Sequence, residues 1–106
     1  MPKYLIQLNY TADGIKGVLQ DGGTARRQAA ERMAESVGGR IEQMYFAFGE
    51  MDLYAIADMP DNVSMAAVGL AISASGAART RTVVLLTPEE IDEATRQEVQ
   101  YRAPGT

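Results

Sequence analysis

The chain has 106 residues, a formal net charge of −4, 46% apolar and 23% charged residues, which is the size and make-up of one globular domain built on one core. An acidic balance with ten scattered Lys and Arg residues lacks the electrostatic footprint of a protein that binds nucleic acid or an anionic membrane surface. With no histidine and no cysteine, disulfide frameworks, Ser-His-Asp and Cys-His nucleophiles, histidine-ligated haem and nearly every zinc or non-haem iron site fall away.

Acid–base chemistry would have to rest on Asp, Glu, Tyr or Lys, and a metal would be a hard cation held by oxygen. No GxGxxG, GxxxxGK[ST] or DxDxDG loop occurs, so neither a cofactor nor a metal is expected. No leader pattern is visible at the start, and the uncharged run Val63 to Ala78 is too short and too rich in Ala, Ser and Gly to span a bilayer. The expectation is a soluble cytoplasmic protein.

The first strand is expected over Lys3 to Tyr10, with Tyr4, Ile6, Leu8 and Tyr10 on one face and Lys3, Leu5, Gln7 and Asn9 on the other. Thr11-Ala12-Asp13-Gly14 supplies turn chemistry before a short helical piece through Leu19, which Asp21-Gly22-Gly23 interrupts. Thr24 then caps a helix whose apolar stripe is Ala29, Ala30, Met33 and Val37, with Arg26, Arg27, Glu31 and Glu35 facing water. Gly38-Gly39 stops it. Arg40 to Phe48 reads as a second strand, Gly49-Glu50 as a tight turn, and Leu53 to Ala57 as a third strand completing a hairpin. Asp61 or Asn62 caps the next helix, where Met65, Val68 and Ile72 recur at helical spacing until Gly76. Arg79 to Leu86 is the fourth strand. Thr87-Pro88-Glu89-Glu90 carries a hydroxyl cap, a proline at the first helical position and a glutamate placed to close a capping box, so a third helix starts there and runs to about Val99.

The order predicts an α+β fold, a ferredoxin-like βαββαβ unit: a four-stranded antiparallel sheet in order 4-1-3-2, helices on one face and an extra C-terminal helix. Residues 1–101 form the domain and residues 102–106 a flexible tail. Several strands are apolar on both faces, among them Tyr4-Leu5-Ile6, Tyr54-Ala55-Ile56 and Val83-Val84-Leu85-Leu86. The helix-free face therefore calls for a cover, and a homo-oligomer, dimer or larger, joined through that face supplies it better than the Thr87 helix, which carries little apolar material.

Several short motifs in order resemble the GYD domain family, whose fold is similar to the dimeric α/β barrels. They are the Tyr4 to Tyr10 strand followed by Thr11 and Gly14, Gly38-Gly39, Gly49-Glu50-Met51-Asp52, Pro60-Asp61 and Arg79-Thr80, and they span roughly Lys3 to Glu90. The family's turn usually reads Gly-x-Tyr-Asp, so Gly49 and Asp52 match and Met51 stands at the tyrosine position. The resemblance implies the fold and an oligomer, and no particular activity.

In the predicted strand order the end of strand 1 lies beside the starts of strands 3 and 4, which gathers Asn9, Asp52 and Arg79 at one end of the sheet. These residues, with Tyr45 or Tyr54 as a wall, are the candidate small-molecule site, between sheet and helices or between subunits. A framework role for Asp52 and Asn9 at the turn is the plainer alternative. Tyr10, Tyr45, Phe46, Phe48 and Tyr54 read as core or interface packing, and Glu89, Glu90, Asp92 and Glu93 as first-turn carboxylates that suit the helix dipole. Two functions fit. One is a non-catalytic binding or assembly module; the other is a cofactor-independent enzyme, monooxygenase- or isomerase-like, with Asp52 as acid–base group and Arg79 holding an anion.

Overall fold

The computed structural model describes residues 1–106. In chain order the elements are β1 (Lys3–Tyr10), α1 (Ala12–Asp21), α2 (Gly23–Ser36), β2 (Arg40–Phe46), β3 (Leu53–Asp58), α3 (Asn62–Ser75), β4 (Ala78–Leu85) and α4 (Pro88–Thr95). The four strands form one antiparallel sheet in order β2-β3-β1-β4, which is 4-1-3-2 read from the other edge. The fold is α+β and ferredoxin-like, with two helices in the first crossover.

The alternation in β1 decides which face is buried. Tyr4, Ile6 and Leu8 stand in register with Ala57, Ala55 and Leu53 of β3, and all six are buried. Ala34 of α2, Met65 and Val68 of α3, Met59 and Ala78 complete the core on that side. Each large side chain so buried contributes about 1.5–3 kcal/mol. The Tyr4 hydroxyl, buried with its ring, donates to Asn62 Oδ1 at the start of α3, which satisfies it.

Two glycines are fixed by close approach. A Cβ on Gly14 would lie 1.9 Å from the carbonyl oxygen of Ala77, where α1 meets the start of β4. One on Gly39 would lie 2.4 Å from the Met59 sulfur and 2.6 Å from the Asp58 carbonyl oxygen. Only a residue without a side chain lets these backbones touch.

Most helix ends follow local chemistry. The Asp61 carboxylate accepts from Ser64 N at 2.8 Å, and Thr87 and Glu90 close the expected capping box at α4. Several boundaries shift by one residue or more, three of them for a visible reason. Gly22, at positive φ, ends α1 by donating to Val18 O and is also the N-cap of α2, so Thr24 sits inside the helix instead of capping it. β2 stops at Phe46: Ala47 N still donates to Asp52 O at 2.8 Å, in register with the ladder, but the chain then turns through Gly49 and Phe48 is left fully exposed. α4 ends at Thr95, short of Val99, and every residue of it is exposed, so no burial prolongs it.

The sheet face opposite α2 and α3 carries Lys3, Leu5, Gln7 and Asn9 of β1, Tyr54, Ile56 and Asp58 of β3, Tyr45 of β2, and Arg79, Arg81, Val83 and Leu85 of β4. No element of the chain covers it, and α4 stands away from it. No helix is long and apolar enough to cross a membrane.

Candidate functional site

The five residues singled out in the sequence do converge by topology. Asn9 and Arg79 are register partners across β1 and β4, and Tyr45 and Tyr54 are partners across β2 and β3. Asn9 is the hub of the turn: its Nδ2 donates to Glu50 O at 3.1 Å, and its Oδ1 accepts from Asp52 N at 2.9 Å. Asp52 N also donates to Leu8 O at 3.0 Å, and Oδ2 of its carboxylate accepts from Tyr10 N at 2.9 Å. Asp52 and Arg79 form no ion pair, and Arg79 is exposed. Asn9 and Asp52 thus clasp the ends of β1 and β3, while Tyr45, Tyr54 and Arg79 lie on the open face. Met51, in the same turn, is 6% exposed, with its sulfur 3.5 Å from Asn9 Nδ2.

A cavity lies on the other side of the sheet. α2 packs chiefly over β2 and α3 over β4, which leaves a groove of about 280 Å³ above β1 and β3. Its floor is Ile6, Leu8, Leu53 and Ala55, and its walls are Ala29, Ala30 and Met33 of α2 against Ala71 and Ile72 of α3. The groove exists because small side chains stand where larger ones would close it: Ala29 and Ala30 on one wall, Ala71 on the other, Ala77 and Ala78 at the end.

Polar groups enter this groove at one place. Arg26 of α2 and Tyr10 at the end of β1 line it together, and the only other polar side chain, Ser75, donates to Ile72 O and accepts from Ala77 N. Burial pushes the Tyr10 phenol above its ordinary pKa, the guanidinium of Arg26 beside it pulls it back down, and the Asp52 charge adds to the rise. The phenol therefore keeps its proton at neutral pH and is available as a donor. Arg26 has no carboxylate within ion-pair distance. A guanidinium and a phenol, both donors, at the rim of an apolar groove form a grip for an oxyanion on an apolar body. The Asp52 carboxylate, by holding the Tyr10 N–H, fixes the strand from which that phenol projects.

By residue type Arg26 belongs with the water-facing side chains of α2, whereas it lines the groove. It lies three, four and seven residues before Ala29, Ala30 and Met33, the spacing of one helix face, and that spacing was the available signal. Charge alone had placed it with Arg27 and Glu31.

A family model described as the GYD domain matches residues 4–95. No curated protein and no solved structure matches the chain.

Proposed function

The chain belongs to the GYD domain family, over residues 4–95, and from that premise and the groove we propose that it is a non-catalytic, homo-oligomeric binding module for a small apolar molecule bearing an oxyanion. The carrying observation is the Arg26 guanidinium, without a carboxylate partner, beside the Tyr10 phenol on an otherwise apolar groove. An apolar cavity of about 150 Å³ admits benzene, so 280 Å³ suits a body of one or two rings or a medium alkyl chain. Lack of cysteine is in keeping with a reducing cytoplasm as its place of action. Tyr45, Tyr54, Arg79 and the Asn9–Asp52 clasp would border a second pocket only once another copy closes over the open face.

The enzymatic alternative, with Asp52 as acid–base group and Arg79 as anion holder, has less support. The Asp52 carboxylate already accepts from Tyr10 N, and no contact joins it to Arg79.

Octanoate and octanol are suitable probes, titrated into the full chain by calorimetry. Octanoate binds more tightly than octanol. Arg26→Met removes that preference, by roughly ten- to a hundredfold in dissociation constant, the worth of one charge-assisted hydrogen bond. Ala30→Phe, which fills the groove, abolishes binding of both. Octanoate affinity that survives Ala30→Phe would move the site elsewhere, and equal affinity for the two probes would remove Arg26 from it.

A further inference from the structure

Past β4 the chain leaves the body. Every residue from Pro88 to Thr106 is exposed, including Ile91, Val99 and Tyr101. The radius of gyration is 17.0 Å and the longest extent 58 Å, against about 13 Å for the radius of a compact domain of this length. Yet the arm is not an unstructured end. Thr87 and Glu90 cap α4 on both donors, with Pro88 at its first turn. Proline also holds the residue before it extended, and Thr87 is so held, at ψ 159°. The chain therefore runs onward from β4 instead of folding back across its own sheet.

The arm and the open sheet face are complementary. From Leu86 on, the arm carries five acids, Glu89, Glu90, Asp92, Glu93 and Glu98, and two bases, Arg96 and Arg102, a net −3. The open face carries Lys3, Arg40, Arg79 and Arg81 against Asp58 and Glu42, a net +2, or +1 with Asp52 at its edge. Between those cations lies an apolar band of Leu5, Ile56, Val83 and Leu85, which Ile91 and Val99 could cover. Residues 86–106 also match in length one side of a stable interface, roughly 20–30 residues.

We propose that the arm of one copy lies across the open sheet face of a second copy, and the second arm across the first face, so that a dimer closes by exchange of arms. This rests on the reading of the chain as a homo-oligomer and names the segment that makes the contact. Opposite charge selects the partner face, and the apolar band supplies the affinity.

Light scattering on the full chain and two variants tests it. The unmodified protein has twice the mass of one 11.5 kDa chain. Ile91→Arg, which removes the arm's apolar anchor and sets a cation against a cationic face, weakens the dimer by roughly thirtyfold or more, as loss of a central interface residue does. Arg79→Glu with Arg81→Glu does the same from the other side. All three positions are exposed in the single chain, and an unchanged circular dichroism spectrum verifies that each variant folds. An equimolar mixture of the two variants then forms a heterodimer at concentrations where neither associates alone, because one intact arm still meets one intact face. A dimer that survives Ile91→Arg overturns arm exchange and leaves the homo-oligomer standing on sheet-to-sheet contact. A mixture that stays monomeric also overturns exchange. A monomeric unmodified chain sinks the oligomer as well.

Discussion

Replacing Asp58 by asparagine tests the one buried charge in the chain. Asp58 is 5% exposed and stands in a cross-strand row with Lys3 of β1 and Arg40 of β2. Oδ1 accepts from Lys3 Nζ at 2.9 Å and Oδ2 from Arg40 Nη2 at 2.9 Å, while Lys3 also reaches Glu42. Removing one partner of a fully buried pair costs about 3–5 kcal/mol because a charge is stranded. Here the cations left behind reach water, with side chains 35% and 65% exposed, and exposed pairs are worth about 0–1 kcal/mol. Asp58→Asn keeps the shape and one acceptor, so the expected cost lies between, about 1–2 kcal/mol, or roughly 5–15 °C in Tm for a domain of this size. The hydrogen bond from Lys3 holds the Asp58 carboxyl below its ordinary pKa, and the Glu42 and Asp58 carboxylates hold Lys3 above its own. Stability from a depressed carboxyl is present above its unfolded pKa and is lost as pH falls through the folded value; stability from a raised lysine is present below its unfolded pKa and is lost as pH rises through the folded value. Urea unfolding of both proteins from pH 3 to pH 11 should show a gap that is flat across neutrality and narrows toward both ends. A gap as wide at pH 3 as at pH 7 would refute the assignment of that stability to charge.

Two glycines in one helix should respond with opposite signs. Gly14→Ala drives a Cβ into the Ala77 carbonyl and strains the Thr11 N–H to Ala77 O bond of 2.9 Å, for a loss of about 2–4 kcal/mol. Gly17, inside α1 with nothing within 4 Å of its Cβ position, gains about 0.5–1 kcal/mol on change to Ala; urea midpoints of both variants decide. Thr87→Ala opens the capping box of a helix whose residues are all exposed, so α4 should melt, seen as lost helical circular dichroism in the monomeric Ile91→Arg background with the urea midpoint of the body unchanged. Tyr4→Phe leaves the Asn62 side chain without its buried partner and should cost about 1 kcal/mol by the same denaturation assay.

Strand order was legible because each element announces itself locally. Period-two alternation in β1, Asp61 as a cap, and Thr87-Pro88-Glu89-Glu90 as a start signal require no knowledge of the rest of the chain. The errors fall where tertiary context overrules local preference. Phe46-Ala47-Phe48 has strand composition throughout, but the Ala47 N to Asp52 O bond is the last rung of the hairpin, and Phe48 beyond it meets no partner strand. The groove was invisible for a related reason: a row of alanines reads as close helix–sheet packing, and only the separation of α2 from α3 turns it into a cavity. Arg26 shows how residue type can mislead. Its charge suggests a water-facing position, whereas its phase on the helix places it with Ala30 and Met33.

The two faces of the sheet divide the work, and Asp52 shows how they are joined. As a sequence feature it could be a general base, a turn residue or half of an ion pair. In the structure Oδ2 of its carboxylate accepts from the Tyr10 N–H, and its own N–H donates to Leu8 O and Asn9 Oδ1. Asn9 and Tyr10 are consecutive on β1 and face opposite sides of the sheet, so this clasp sets both the edge of the open face and the reach of the phenol into the groove. Oδ2 alone makes the contact to Tyr10 N, and it ties Asp52 to the strand that carries the phenol beside Arg26. Asp52 is therefore a positioning residue for both faces: through Asn9 it sets the edge of the open one, and through Tyr10 N it sets the strand end from which the phenol enters the groove.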